Sequence, residues 1–599
     1  MSDPKTMFKT LGKIMGHAKE KIVPKNCNEV QTAEEMSKYY VEKIRKIREE
    51  INPDNAVNKT NQFIKNSEND FTNFSPITLV ALEKLVKGIN NKTSRSDPVP
   101  TEIIKQNLTA VLPLIQYIIN SSFSQKTFPD QLKLAYITPI IKDASKSHED
   151  YKNYRPVSSL PFLSKILEKA IYDQLYHHVQ SNQLHSHFQS AYRKHHSCET
   201  AMLRTVTDIQ EMLADKSYVA LVLLDLSAAF DTVDHRLLLC RLENHFQIKG
   251  NALELIRSYL DKRTFRIVIN DTIGDPTFIR YGVPQGSILG PFFYDLYTYE
   301  IEQIVQQHGM MVHIYADDIQ IYLCFKPELQ SISQDKVQDC IKDLKFWMKN
   351  SFLKLNPDKT QIKLFTPRGK LVDSNEFTLS DGNSAIESVT TVKVLGITLG
   401  AGKMFSKFVE KKINICNFHI RNLKTIRKCI PQKVKIQAIN SLVIPTLDYC
   451  NSMLLCSPSC IIPLQRTMNR AIRYVFNLRK YDRISPFFFK LHILPVSFRL
   501  KFKACLLAFK IISKQAPDYL LEKFELFEPT TTIEFRSGSG RDRLMFKEDL
   551  QDKLKETLST KIISEWNKLP LSIRKIKCTN TFKSNLKTVF FKEAFKEFL

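Results

Sequence analysis

Three acidic residues stand where a carboxylate is costly. Asp225 closes the unbroken apolar run from Tyr218 to Leu224. Asp317 and Asp318 sit side by side between His313-Ile314-Tyr315 and Ile319-Gln320-Ile321-Tyr322. The apolar run reads as a strand buried on both faces, and an ionised Asp at its end needs a cation or a donor to meet it. Two adjacent acids repel, so a fold that keeps them together gives them a shared cation. Oxygen ligands brought from separate strands suit metal-assisted phosphoryl transfer. One divalent ion lowers the pKa of an attacking hydroxyl, and a second steadies the phosphoryl group and its leaving group. Blander readings compete: the acidic pair by itself reads first as a solvated turn, since Asp bonds its own backbone there. Asp231, at the end of Leu226-Ser227-Ala228-Ala229-Phe230-Asp231, reads as a helix N-cap.

Between the acids lies Gly282-Val283-Pro284-Gln285-Gly286-Ser287-Ile288-Leu289-Gly290-Pro291. Gly and Pro on both sides of Gln285 fix a tight backbone that can press close to a ligand. The elements that must position these groups follow from periodicity. The Ile- and Tyr-rich flanks of Asp317-Asp318 predict a β-hairpin with the acids in its turn. Helices are predicted over 32–51 (with Thr32 as N-cap), 162–179, 198–214, 234–246, 252–260, 292–307 and 335–350. Strands are predicted over 134–142, 265–270, 277–280 and 361–365, and a further hairpin over 392–399. From Phe405 to about Ala516 the pattern is helical, with basic residues recurring through it. The last part carries Arg536, Arg541, Arg543 and a lysine-studded helix over 581–598.

The 599 residues carry a formal charge of +25, and 43% of them are hydrophobic. That apolar content supports several packed domains and excludes a disordered chain. The excess charge points to a polyanionic partner. No uncharged apolar run is long enough to span a bilayer, and Met1 opens no signal-peptide pattern, so the expectation is a soluble, intracellular protein of cytoplasm and nucleus, not a secreted one. A membrane-surface role lacks a clean amphipathic anchor. Twelve cysteines include no Cys-x-x-Cys pair, and in a reducing compartment they read as buried apolar residues.

The order of these features resembles the reverse transcriptases of non-LTR retrotransposons (LINE type), in particular the jockey-like group. Tyr315-Ala316-Asp317-Asp318, Leu224 to Asp231, Gly282 to Pro291, Tyr154-Arg155-Pro156-Val157-Ser158, Leu355 to Thr360 and Leu395-Gly396-Ile397 each match a motif of that family, in its order. Further matches are Leu447-Asp448-Tyr449-Cys450-Asn451, Ala516-Pro517-Asp518-Tyr519-Leu520 and Trp566-Asn567-Lys568-Leu569-Pro570. The resemblance implies an α+β right-hand polymerase, with fingers, an antiparallel palm sheet, a thumb and a mostly helical C-terminal region. It implies an RNA-directed DNA polymerase that extends a primer 3′-OH on an RNA template. Its partners would be the RNA template, a DNA primer or target and dNTPs, with two Mg²⁺ ions as cofactor and Mn²⁺ as a substitute.

By the same resemblance, Asp225, Asp317 and Asp318, with the carbonyl of Leu226, would bind the metals. Phe230 would be the steric gate against a ribose 2′-hydroxyl, and Gln285 would contact the incoming nucleotide. Arg193, Lys142 and Arg155 would meet the triphosphate, Lys359 would protonate pyrophosphate, and Leu395-Gly396 would lie in the primer grip. The implied organisation is an N-terminal region 1–94, fingers 95–215, palm 216–400 (the reverse transcriptase domain spanning about 120–400), a thumb-like region 401–515 and a basic C-terminal region 516–599. Two departures stand out. Ala191-Tyr192 replaces the family's Gly-Phe before Arg193, which would strain Ala191 if its φ were positive, and Thr298-Tyr299-Glu300 replaces an Ile-Asn-Asp. Full-length relatives carry an endonuclease ahead of the polymerase, and residues 1–90 are too short for one, so the expectation is a chain without it. The alternative is a catalytically decayed or domesticated nucleic-acid-binding remnant.

Overall fold

The computed structural model describes residues 28–51, 69–143, 145–367, 377–380, 385–400, 402–526, 544–546 and 557–598. Arg536, Arg541 and Arg543 lie outside the described residues. The chain is a mixed α and β protein built around the apolar run that ends at Asp225. That run is β3 (Tyr218–Leu224), an interior strand of a four-stranded antiparallel sheet in the order β11 (Gln361–Phe365), β3, β9 (Asp318–Phe325), β8 (Met311–Tyr315). Its two faces enter different cores. Tyr218, Ala220, Val222 and Leu224 pack with the helices at 162–181 and 235–260, whereas Val219 and Leu221 pack with residues of the helical region beyond 405. This is why the run is apolar at every position rather than at alternate ones. Each such fully buried Val or Leu contributes about 1.5–3 kcal/mol.

A second sheet runs β2 (Tyr154–Ser159), β1 (Ala135–Ile141), β5 (Thr264–Ile269), β6 (Thr272–Ile273), with β7 (Thr277–Phe278) also on β5. β1 and β5 are parallel and the other pairs antiparallel. Helix α1 (Glu29–Ile51) lays Ala33, Met36 and Tyr40 against Ile137, Phe265 and Ile267 of this sheet. Short pairs complete the β structure: β4 (Leu226–Ser227) with β10 (Lys354–Leu355), β12 (Thr378–Ser380) with β13 (Ala385–Glu387), and β14 (Thr391–Val394) with β15 (Ile397–Gly400). Beyond residue 405 the described chain is mostly helical, with long helices at Ser406–Thr425, Ile461–Phe476, Val496–Ile512 and Thr579–Ala594.

Three local expectations need correction. Thr32 is not the cap of α1: the helix begins at Glu29, Asn28 Oδ1 accepts the amide of Val30, and the Thr32 hydroxyl folds back onto the Asn28 carbonyl. The helix expected over 292–307 is two, α5 (Leu289–Tyr297) and α6 (Glu300–Gln307), separated by a turn at Thr298 and Tyr299 where both the amide and the hydroxyl of Thr298 bond the carbonyl of Tyr294. Asp231 caps no helix. Asp234 does, its Oδ1 accepting the amides of Arg236 and Leu237 at the start of α4 (His235–Asn244). Helices α2 (Phe162–Ser181) and α3 (Cys198–Ala214) fall where periodicity placed them, α3 opened by a capping box between Ser197 and Thr200.

Candidate active site

The hairpin turn is tighter than the sequence suggests. β8 and β9 are joined by two residues, Ala316 and Asp317, and Asp318 is already the first residue of β9, facing Tyr315. Ala316 takes φ +58°, a left-handed conformation that favours glycine, so an outside contact has to hold the turn. That contact is Gln189, whose Oε1 accepts the amide of Ala316 (3.1 Å).

Strand register brings the third acid alongside. Leu224 pairs with Ile319, so the next positions along the two strands are Asp225 and Asp318. Two-residue β4 continues from Asp225 and pairs with β10, and the amide of Asn356 donates to the Asp225 carbonyl (2.8 Å). The single turn Pro357–Lys359 then leads into β11 on the other side of β3. Lys359 is thereby returned to the strand end, and its Nζ lies 2.7 Å from Asp225 Oδ2. The carboxyls feel one another. Desolvation, then the charges of Asp317 and Asp225, push Asp318 up to about 6. Asp317 is raised by desolvation and by Asp225, against the pull of Arg155 and Lys359. Among the described residues, no three acidic, imidazole or thiolate groups come together closely enough to hold an ion by themselves. Asp225 has Lys359 as its counter-charge instead.

The Gln285 loop closes over this end of the sheet. Gln285 Nε2 donates to Asp231 Oδ1 (2.8 Å), and the Gln285 carbonyl accepts the amide of Ser158 on β2 (2.9 Å). Gly286 has φ +122°, and a Cβ there would sit 2.5 Å from the Ser158 carbonyl oxygen, so only glycine fits. Fully buried Glu168 of α2 holds the far side of the loop: its Oε2 accepts the amides of Ile288 (2.6 Å) and Leu289 (3.3 Å) at the start of α5. Burial raises this carboxyl, against the charge of Arg263 and those amides. Phe230 stacks on Tyr294 of α5, ring centroids 4.5 Å apart and 21° from parallel, while its carbonyl accepts the amide of Val283.

Basic groups converge on the same region, with two additions to the expected set, Lys43 and Lys146. Burial lowers Lys142, and the charges of Lys43, Lys146, Lys359 and Arg155 lower it further, so Lys43 of α1 belongs to this cluster. Lys142 Nζ donates to the Lys152 carbonyl (2.6 Å). Arg193 is committed elsewhere: its Nη1 donates to the carbonyls of Ser186 (2.7 Å) and Gln189 (3.0 Å), bracing its own loop. In that loop the positive φ falls on Tyr192 (+59°) and not on Ala191, which answers the concern over the missing glycine. Leu395 and Gly396 form the two-residue turn between β14 and β15, both at positive φ (45° and 80°). Tyr449 donates its hydroxyl to the Leu395 carbonyl (2.6 Å).

Residues 141–399 match the family model for reverse transcriptase (RNA-dependent DNA polymerase). They are a reverse transcriptase domain. The chain is also similar to three Drosophila melanogaster proteins. It is 28% identical over 366 residues to a probable RNA-directed DNA polymerase from transposon BS, covering 58% of this chain and 39% of that protein. The corresponding values for one from transposon X-element are 27% over 343 residues, 56% and 36%. For the RNA-directed DNA polymerase from mobile element jockey they are 26% over 395 residues, 64% and 42%. The chain thus spans about two-fifths of the length of these curated relatives. Within the reverse transcriptase domain lie Asp225, Asp317, Asp318, Gln285, Phe230 and Lys359, together with Gln189 and Glu168, which the sequence did not single out. A signal that the hairpin is held by polar groups from elsewhere was present, and the partners are Ser190 for His313 and Thr205 for Gln320. His313 and Gln320 are polar residues inside two apolar strands, they face each other across the hairpin, and buried polar groups require partners.

Proposed function

We propose that this chain is the RNA-directed DNA polymerase of a non-LTR retrotransposon of the jockey-like kind, adding dNTPs to a primer 3′-hydroxyl on an RNA template. The observation that carries the proposal is the meeting of Asp225 with the Asp317-Asp318 turn at one end of an antiparallel sheet, between the Gln285 loop and a cluster of lysines and Arg155. On this view the four-stranded sheet is the palm (216–400), the part before it the fingers (95–215), the helices beyond it a thumb-like region (401–515), and 1–94 and 516–599 flanking regions.

The donor chemistry, carboxylate and carbonyl oxygen, is the kind that hard divalent ions take. Three carboxylates share this end of the sheet without closing on a common point, and Asp317 and Asp318 hold their protons more tightly than usual, through burial first and the neighbouring acids second. Asp225, Asp317, Asp318 and the Leu226 carbonyl would hold two Mg²⁺ ions, with Mn²⁺ as a substitute. Bound there, the ions supply Lewis acidity to the 3′-hydroxyl and the triphosphate. The protein's own groups do the rest. Lys142 and Arg155 offer positive charge to the triphosphate, and Arg193 braces the loop that runs along β8. Lys359 balances Asp225 and provides an ammonium proton for departing pyrophosphate. Gln285, fixed by Asp231, positions the nucleotide, and the Phe230 ring, held flat on Tyr294, blocks a 2′-hydroxyl. The Leu395-Gly396 turn supports the primer end.

A primer-extension assay on an RNA template with Mg²⁺ tests the proposal. The wild-type chain extends the primer and Asp317→Asn loses at least about 10³-fold of that activity, as removal of an essential ligand does. Salt-dependent binding of template without extension would instead mark the chain as a nucleic-acid-binding remnant.

A further inference from the structure

The sequence match at Ala516-Pro517-Asp518-Tyr519-Leu520 has no role in the site as built so far, yet the structure carries it to the underside of the acidic hairpin. Tyr519 is fully buried, and its hydroxyl lies 2.8 Å from Ser190 Oγ. Ser190 Oγ also lies 2.9 Å from Nε2 of His313, a fully buried residue of β8, and the Tyr519 ring meets the His313 ring edge to face at 5.1 Å. Burial pushes His313 down to about 3, so the imidazole is neutral and acts through hydrogen bonding. Ser190 and its neighbours run beside the outer edge of β8. The Ser190 amide donates to the Ile314 carbonyl (2.9 Å) and the Ile314 amide to the Phe188 carbonyl (3.0 Å). Between Phe188 and Ser190 stands Gln189, whose Oε1 accepts the amides of Ala316 (3.1 Å) and Ala191 (3.0 Å).

The same C-terminal segment is anchored twice more. Arg204 Nη1 donates to the Tyr519 carbonyl (3.0 Å), and Lys523 pairs with Asp208 and Glu211 of α3. Asp208 also accepts the hydroxyl of Tyr322 on β9 (2.5 Å). Both strands of the hairpin are therefore tied, through buried groups, to residues 519–523.

We infer that Gln189 and Tyr519 are positioning residues of the polymerase site: Gln189 fixes the Ala316-Asp317 turn directly, and Tyr519 fixes Gln189 by holding Ser190 against His313. Neither touches a substrate or a reacting atom. The strained turn explains the need. Ala316 pays a conformational penalty that its amide's bond to Gln189 offsets. Without it the carboxylate of Asp317 loses its fixed distance from Asp225.

The inference rests on the polymerase reading only for its catalytic readout, so the experiment pairs that readout with one that needs no activity. Amide hydrogen exchange of the full chain is followed in a peptide covering 311–318, for wild type, Gln189→Ala, Gln189→Glu and Tyr519→Phe. Gln189→Ala speeds exchange at the Ala316 amide about five-fold, the loss of one hydrogen bond. Gln189→Glu keeps an acceptor oxygen and restores protection, and Tyr519→Phe gives an intermediate increase, with melting temperatures within a degree of wild type. In primer extension, Gln189→Ala and Tyr519→Phe lower kcat and raise the Mn²⁺ concentration needed for half-maximal rate, with KM for dNTP unchanged. Unchanged exchange in Gln189→Ala overturns the inference, as does equal exchange in Gln189→Ala and Gln189→Glu. Failure of the wild-type chain to extend a primer counts against the polymerase reading alone, since the exchange result still decides this one.

Discussion

At the scale of single residues, the site is dominated by charges that oppose one another. Asp318 titrates near 6 in the metal-free protein because desolvation and its two acidic neighbours favour the proton. The folded state therefore binds that proton more tightly than the unfolded chain does. Asp318 supports folding below its ordinary range near 4, and the support is lost as pH rises through about 6. Asp318→Asn is thus expected to abolish extension while raising the melting temperature of metal-free protein at pH 8 by about 1 °C, and by less at pH 4. Metal competes with the same proton, so Mn²⁺ affinity measured by calorimetry should be about four-fold weaker at pH 5.5 than at pH 7.5. An unchanged affinity would separate Asp318 from the metal. Phe230 offers a second check. Its ring is held by stacking on Tyr294, so Phe230→Ala should raise incorporation of ribonucleotides relative to dNTPs by about 100-fold, read as a ratio of kcat/KM values. The three acids were legible in the sequence because a charge at the end of a buried strand is anomalous. The partner of Asp225 was not, since Lys359 reaches it only through the registers of β4 with β10 and β11 with β3.

At the scale of elements, the site is a set of short turns held from behind. The Leu395-Gly396 turn shows how. Both residues adopt positive φ, and the Tyr449 hydroxyl holds the Leu395 carbonyl, while Lys412 gathers the carbonyls of Leu447 and Tyr449. Tyr449→Phe removes one hydrogen bond, about 1 kcal/mol. It should raise KM for primer several-fold with little change in KM for dNTP in steady-state extension. A change confined to dNTP would argue that this hairpin does not serve the primer. Most elements were readable: α3 and β3 occupy the spans that periodicity gave them, because one stripe or both faces are buried. The break between α5 and α6 was not readable, since apolar spacing runs straight through the Thr298-Tyr299 turn. Likewise the strain expected at Ala191 is shifted by one residue to Tyr192, a matter of backbone geometry that composition does not encode.

At the scale of the whole molecule, the charge of +25 needs an outlet. Arg421, Lys424, Arg427 and Lys428, at the end of the helix Ser406–Thr425 and just beyond it, are exposed, as are Arg466 and Arg470 on the helix Ile461–Phe476. Arg470 reaches Asn417, so the two helices present these residues side by side. Binding of an RNA–DNA duplex should fall with log salt at a slope of about −5, and Arg421→Ala with Lys424→Ala should reduce that slope by about 2, equally for unrelated sequences. A fluorescence-anisotropy titration at several KCl concentrations measures both. A slope unchanged by the double substitution would place the nucleic acid on another face.

The hydrogen bond between Ser190 and Tyr519 also has a timetable. Its partners are 329 residues apart in the chain. A ribosome adding about 5–20 residues per second completes the acidic hairpin roughly 10–40 s before Tyr519 is made. During that interval the nascent chain holds every acid of the site and lacks the tyrosine that props their turn from below. A chain released before Tyr519 is made would carry the acids with their turn unsupported, and the fidelity of that turn would follow from translation reaching this one residue.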